Sequence, residues 1–307
     1  TNNPTRIFPK IETIVNNASP KEEVLVDYER DFTFRFSVRD CHPGGGGFDF
    51  ADVAFKTTDQ AGPFLVNSPN DGSEVWEVGD YVEVSWDVAN SDAAPVNCQR
   101  VDISLSTYGG FTYPITLAKN TANDGSQFIV VPDEIGTDVR VKVAAADNIF
   151  FDISNANFEI VAASQPDFAF TTPVIEGASV CLPTTISVDL GTVALAGFSE
   201  MISFSVEGLP TNATATFNPA QVMPGETSIM SIEFTEDLAT HGIWDLTLKA
   251  EANGVDVQER PASYSLISND FSALALQSPA DGLGNQNTLQ SFDWTDLINA
   301  DSYNFEI

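Results

Sequence analysis

The strongest constraint in this chain is a period of two. In Asp31-Phe32-Thr33-Phe34-Arg35-Phe36-Ser37-Val38-Arg39, residues Phe32, Phe34, Phe36 and Val38 share one face of an extended segment. Val82, Val84, Trp86 and Val88 do the same along Tyr81–Val88. Segments 101–105, 138–143 and 243–249 alternate in the same way. Successive side chains on a strand point to opposite faces, so this pattern specifies half-buried antiparallel strands rather than helices. Residues 20–30 are the best helical candidate, and no amphipathic pattern runs longer than two turns.

Turn signals punctuate the strands every 8–12 residues: Asn70-Asp71-Gly72, Asn123-Asp124-Gly125, Pro224-Gly225, Asn253-Gly254 and Asp281-Gly282. Short strands at that spacing are the mark of β-sandwiches. Proline interrupts low-charge stretches at Gly62-Pro63 and Ser164-Gln165-Pro166, and a further break falls at Ile267-Ser268-Asn269-Asp270. These divide the chain into 1–62, 63–163, 164–268 and 269–307. A short repeat links two of them. Phe64-Leu65-Val66-Asn67-Ser68-Pro69-Asn70-Asp71-Gly72 precedes Trp86, and Leu274-Ala275-Leu276-Gln277-Ser278-Pro279-Ala280-Asp281-Gly282 precedes Trp294. A first strand, a Pro-Asp-Gly turn and a tryptophan on the next core strand resemble fibronectin type III and related immunoglobulin-like domains. The expected fold is all-β: tandem immunoglobulin-like or fibronectin type III-like sandwiches. Residues 1–62 read as a partial immunoglobulin/cadherin-like sandwich, and 269–307 as a truncated fibronectin-like one. Thr1-Asn2-Asn3-Pro4 reads as the interior or processed end of a longer chain, and the final strand as one cut in mid-domain.

Charge narrows the partners. The 307 residues carry 44 Asp and Glu against 13 Lys and Arg, a formal net charge of −31. A basic footprint for nucleic acid or an anionic membrane is therefore missing. There is no run of about 18 apolar residues of the kind a membrane-spanning helix requires. With 43% hydrophobic residues and 22 Phe, the chain has the means to build cores and is no disordered acidic tail.

Chemistry-bearing residues are sparse. The chain has two His, at 42 and 241, and three Cys, at 41, 98 and 181. Neither His has a partner His at a zinc-binding spacing, and Cys41 and His42, as strand neighbours, would point to opposite faces. Gly44-Gly45-Gly46-Gly47 lacks the Lys-Ser/Thr of a phosphate cradle and reads as a hairpin loop. With one Cys per expected domain, no disulfide forms within a domain; Cys181, between Val180 and Leu182, reads as a buried free thiol. No catalytic constellation is expected.

Three features remain. Ser106-Thr107-Tyr108-Gly109-Gly110-Phe111-Thr112-Tyr113 resembles the Asp-box hairpin of sialidase-like propellers, with Tyr108 at the Asp position and Tyr113 at the Trp. In a sandwich it reads as strand–turn–strand, and Tyr108, Phe111 and Tyr113 are the candidate residues for binding a glycan or cell-surface ligand. Asp40, Asp49 and Asp52 flank the glycine loop, and Asp147 and Asp152 flank Asn148–Phe151. The simpler reading of both groups is a solvated acidic rim; the alternative is calcium, with Asp40, Asp49 and Asp52 as candidate ligands. Asn17-Ala18-Ser19 and Asn212-Ala213-Thr214 match the N-glycosylation acceptor triplet.

Three stretches together resemble a known region. They are Phe34–Asp40 with the four glycines and Ala61-Gly62-Pro63-Phe64; Val75–Gly79 with Val84–Asn90; and Pro95–Cys98 with Val101–Ser106. Gly208-Leu209-Pro210 followed by Ala215–Pro219 extends the pattern. In this order they resemble the immunoglobulin- and fibronectin-like region behind the catalytic domain of secreted reprolysin-like zinc metalloproteases of Bacteroidota, cargo of type IX secretion. The resemblance covers roughly residues 5–260 and implies an extracellular or cell-surface location. It also implies that the other domains of one longer chain are partners. The His-Glu-x-x-His-x-x-Gly-x-x-His helix of that family is absent here, so no catalytic residue carries over. The expected role is a non-catalytic stalk or spacer. An adhesin-like or glycan-binding module and a self-assembling filament subunit are the alternatives.

Overall fold

The computed structural model describes residues 5–19, 23–40, 44–279, 281–284 and 291–304. The chain divides into two compact units, 1–162 and 163–307.

The first unit begins with one helical turn, α1 (Ile11–Val15), and a hairpin of β1 (Arg30–Arg39) and β2 (Phe48–Thr57). The expected helix over 20–30 is absent from its described part, residues 23–29. Glu23 instead uses its carboxylate to accept the Lys10 amide at 2.8 Å and to pair with Arg6. The hairpin register puts Phe32 opposite Phe55, Phe34 opposite Val53 and Phe36 opposite Ala51. Phe32, Phe34 and Phe55 pack ring to ring at 5.1–6.0 Å. Toward the glycine loop the same face is uncovered, with Phe36 and Val38 exposed. Alternation predicts a half-buried strand; no further strand among the described residues pairs with this hairpin.

The sandwich of this unit is made from β3 (Leu65–Ser68), β4 (Val75–Glu77), β5 (Tyr81–Asp87), β6 (Arg100–Ser106), β7 (Ile115–Ala122), β8 (Ser126–Val130), β9 (Gly136–Ala145), β10 (Phe151–Ile153) and β11 (Phe158–Val161). One sheet has the order β3-β5-β8, the other β4-β11-β9-β6-β7, with β10 also on β9. All pairs are antiparallel except β4 with β11. The chain thus starts in one sheet with β3 and crosses to the far edge of the other with β4, which ties the two layers together. Inward positions are apolar and dry. Val101, Ile103 and Leu105 on β6 meet Val139, Val141 and Val143 on β9, all at 0% exposure. Trp76 packs against Phe158 with ring centroids 4.5 Å apart. Each fully buried aliphatic side chain contributes about 1.5–3 kcal/mol, so this layer is the main source of stability.

The second unit repeats the plan with β12 (Asp167–Phe170), β13 (Ile175–Cys181), β14 (Thr184–Leu195), β15 (Ile202–Glu207), β16 (Ala213–Asn218), β17 (Gln221–Val222), β18 (Thr227–Phe234), β19 (Gly242–Ala252) and β20 (Gln258–Ile267). The sheets are β12-β14-β18-β16 and β13-β20-β19-β15-β17, and β13 runs parallel to β20. The core holds Phe168, Phe170, Leu190, Met230, Ile232, Phe234, Leu246 and Leu248 between the layers. Arg260 is also buried, its guanidinium donating to the carbonyls of Phe170 and Glu259 and lying over the Phe170 ring. The unit ends with a short pair, β21 (Leu276–Ser278) and β22 (Asp293–Trp294). Here the sequence repeat has a structural meaning. Val66 faces Trp86 across β3 and β5, and Leu276 faces Trp294 across β21 and β22. The architecture is all-β, two sandwiches of immunoglobulin-like strand order in tandem with the start of a further strand pair.

Candidate functional site

The residues proposed to bind a ligand lie in the turn between β6 and β7. Ser106, the last residue of β6, is fully buried, and its Oγ accepts the amides of Tyr108 at 3.1 Å and Gly110 at 2.9 Å. These bonds hold the turn without any contribution from an Asp at 108. The absence of a Cβ at Gly110 is needed twice over. Its φ is +89°, and a methyl there would sit 2.9 Å from Val15 Cγ1 and 3.0 Å from Arg140 Cδ. Val15, on α1, is buried, and Asn17 donates to the Asn155 carbonyl at 2.8 Å. The N-terminal segment therefore caps the sandwich beside this turn.

The three aromatic residues divide. Tyr108 is 71% exposed and Phe111 43%, and their rings meet edge to face at 6.2 Å. Tyr113 turns inward. Its hydroxyl is closed off from solvent and has no hydrogen-bond partner, and burial pushes the phenol well above its ordinary pKa. Lys142 Nζ lies 4.6 Å from the Tyr113 ring centroid, and burial lowers the pKa of that ammonium. Arg140, one strand position pair away on β9, donates to Asn157 Oδ1 at 2.6 Å and to the Ser154 carbonyl at 3.2 Å. Arg140 and Lys142 were not singled out from the sequence. Their signal was present, since alternation along Val139–Val143 places both on the outer face, opposite Ser106 and Ser104 of β6. The turn presents two exposed rings, with Arg140 beside Gly110 and Lys142 against the inward Tyr113, a surface that suits stacking.

The aspartates are placed differently. Asp49 and Asp52 are three residues apart on β2 and so on opposite faces. Asp52 forms a two-pronged ion pair with Arg35, 2.7 Å for each bond, which holds its carboxyl below the usual range. Asp49 bonds the amide of Phe50 and Asp40 that of Gly47, both at 2.8 Å. The structure does not bring the three together. Asp147 and Asp152 also separate. Asp152 tucks inward to accept the Val66 amide at 2.7 Å, and burial raises its pKa. Burial, with Asp147 adding to it, raises the thiol of Cys98 to about 11. Among the described residues no three His, Cys, Asp or Glu side chains cluster as a metal site.

Of the remaining reactive groups, Cys98 and His241 have structural partners. Cys98 is buried and its thiol donates to the Arg100 carbonyl at 3.3 Å. Cys181 is exposed, contrary to the expectation from its apolar neighbours, because it ends β13 at the edge of its sheet. Cys41 and His42 lie outside the described residues. His241 Nδ1 accepts the Ser268 amide. In the two glycosylation triplets the acceptor amides are engaged: Asn17 with Asn155, and Asn212 with the Thr235 carbonyl at 2.6 Å. No helix among the described residues is long and apolar enough to cross a membrane.

No protein-family model matches the chain, and no curated protein matches it. Solved structures align with it at low similarity. Domains 4 and 5 of the S-layer protein SbsC align with a TM-score of 0.25 and 11% identity, over 65% of this chain and 98% of that one. A chimeric titin Z1Z2 tandem aligns at 0.24 and 13%, over 64% and 95%. The N-terminal four immunoglobulin domains of Dscam1 align at 0.28 and 13%, over 86% and 68%. At these values the likeness carries nothing about function.

Proposed function

We propose that this chain is a non-catalytic structural module, a stalk or spacer within a larger secreted or cell-surface protein. The observation that carries this reading is that both sandwiches are closed by their own cores, while most of their described reactive side chains serve the fold. His241, Cys98, Asp152 and Asn123 are each held by a backbone or side-chain hydrogen bond. The net charge of −31 opposes aggregation. The resemblance to the region behind reprolysin-like catalytic domains makes a secreted metalloprotease the parent we favour, with the neighbouring domains of that chain as partners. Small-angle scattering tests the spacer role. A single globule of 307 residues would have a radius of gyration of roughly 19 Å. A spacer exceeds that clearly in 0.15 M salt. A radius near the globular value would refute the role.

A second reading rests on the exposed Tyr108–Phe111 pair. Such a pair suits the face of a sugar ring, which would make the module glycan-binding. A glycan array probed with the full chain and with a Tyr108→Ala, Phe111→Ala variant tests it. Binding lost in the variant supports it, and an array without hits removes it.

A further inference from the structure

The β1–β2 hairpin is a sheet of two strands that belongs to neither sandwich. Its strands pair along their whole length, from Arg30 with Thr57 to Arg39 with Phe48, and no third strand among the described residues joins them. A two-stranded ribbon is marginal in water, and an open strand edge is a template for another strand. Apolar side chains are exposed on both faces. Phe36, Val38 and Val53 are 49%, 65% and 48% exposed on one face; Phe48 and Phe50 are exposed on the other, under the guanidinium groups of Arg39 and Arg35.

The free edge of β1 has a defined pattern. The Asp40 amide donates to the Gly47 carbonyl, at the register position that follows Arg39 and Phe48. Alternation along an antiparallel pair then turns the even-numbered backbone groups of β1 toward β2. Those of Asp31, Thr33, Arg35, Ser37 and Arg39 point outward. Laid antiparallel against itself about Arg35, this edge is self-complementary. Asp31 and Thr33 fall opposite Arg39 and Ser37 of a second copy, and Phe32 and Phe34 opposite its Val38 and Phe36. The apolar pairs occupy the non-hydrogen-bonded positions, where opposed Cα atoms come within about 4.5 Å. Arg35 meets its own copy, but both of its bonds to Asp52 already balance that charge. Sliding by two residues puts Asp31 opposite Ser37, or Arg39 opposite Thr33, and loses both ion pairs. Net charge also lets two copies approach here. Residues 63–307 hold 6 Lys and Arg against 34 Asp and Glu, whereas residues 30–57 hold four of each.

We propose that two copies of this chain join through β1, antiparallel about Arg35, into a four-stranded sheet β2-β1-β1-β2 with one continuous apolar face. Phe36 and Val38, exposed in the single chain, then lie beside Phe34 and Phe32 of the second copy. Asp31 and Arg39 form two symmetric ion pairs on the opposite face. The contact is two-fold and closed, so it makes a dimer rather than a filament. It is small, below about 1,200 Å², which places it among weak, concentration-dependent interfaces with a Kd on the order of 10 μM. It uses the hairpin alone and is independent of the stalk reading.

Sedimentation velocity of the full chain, from about 1 to 100 μM, tests this and should show monomer passing to dimer across that range. Ser37→Pro removes an outward amide while sparing the bonds to β2, and should leave monomer throughout. Asp31→Arg and Arg39→Asp, each alone, set like charges opposite one another at both symmetric positions and should weaken the dimer roughly tenfold. Mixed in equal amounts, the two variants regain attraction at both positions and should form a heterodimer near the parent's affinity. The mixing experiment does not depend on how the hairpin tolerates proline. A monomer at about 100 μM, a dimer of Ser37→Pro, or single variants that dimerise like the parent would each overturn the proposal. So would a mixture no tighter than either variant alone, or open-ended assembly.

Discussion

Asn123 joins the two layers of the first sandwich through its side chain. Its Oδ1 accepts Trp86 Nε1–H at 2.9 Å, and its Nδ2 donates to Ser91 Oγ and the Cys98 carbonyl, each at 2.9 Å. Asn123 and Trp86 are 5% and 3% exposed. Asn123→Ala leaves the indole N–H without an acceptor, and an indole nitrogen can only donate. An orphaned buried polar group costs about 1–3 kcal/mol. The Ser91 hydroxyl can rotate to relieve part of its loss, so the total expected is about 3 kcal/mol. For a sandwich of this size that is a drop on the order of 15 °C in melting temperature. Scanning calorimetry of the full chain measures it, with the second unit's transition as an unchanged reference. A double-mutant cycle isolates the central bond. In a Trp86→Phe background the same substitution has no indole to orphan, so the two changes should couple by about 1 kcal/mol or more. A first-unit shift under about 1 kcal/mol, or strictly additive effects, would refute the claim that this network holds the layers.

Three further outcomes are expected. Burial raises the pKa of Asp152, so the folded state holds its proton more tightly than the unfolded chain; stability falls as pH rises from the ordinary carboxylate range through the raised value. Asp152→Asn keeps an oxygen for the Val66 amide and should remove that slope, seen as first-unit melting temperatures across pH 4–7; parallel curves for the two proteins would contradict it. Gly208 and Gly254 have nearly the same φ, +86° and +85°, but a Cβ at Gly208 would lie 2.5 Å from the Asp245 carbonyl while Gly254 faces open space. Gly254→Ala should cost about 1–2 kcal/mol of left-handed strain, and Gly208→Ala about 1–3 kcal/mol more, since the backbone must shift; equal costs by urea unfolding would show the close approach to be relieved. In a Cys41→Ser background a thiol reagent should label Cys181 in the folded protein, and Cys98, buried with its thiol raised to about 11, only on unfolding; native labelling of Cys98 would contradict its placement.

Alternation and turn spacing were sufficient for the fold class, because a half-buried strand writes its two faces into every second residue. They located β1, β5, β6, β9 and β19, and the nine-residue repeat marked the same strand pairing at Val66–Trp86 and Leu276–Trp294. Period two says that the faces differ; it does not say what covers them. Val141 and Phe36 both sit on the apolar face of an alternating strand, yet one is sealed between sheets and the other exposed. Cys181 looked buried among apolar neighbours but ends an edge strand, a position set by its parallel pairing with β20 some eighty residues away. Tyr113 was grouped with Tyr108 and Phe111 by proximity in sequence, and only the tertiary packing, with Lys142 over its ring, turned it inward. The meeting of Glu236, Ser268 and Asn299, joined by hydrogen bonds, has no local signature at all. These residues are up to 63 positions apart in the chain, and only the folding of three loops into one corner decides which of their oxygens water can no longer reach.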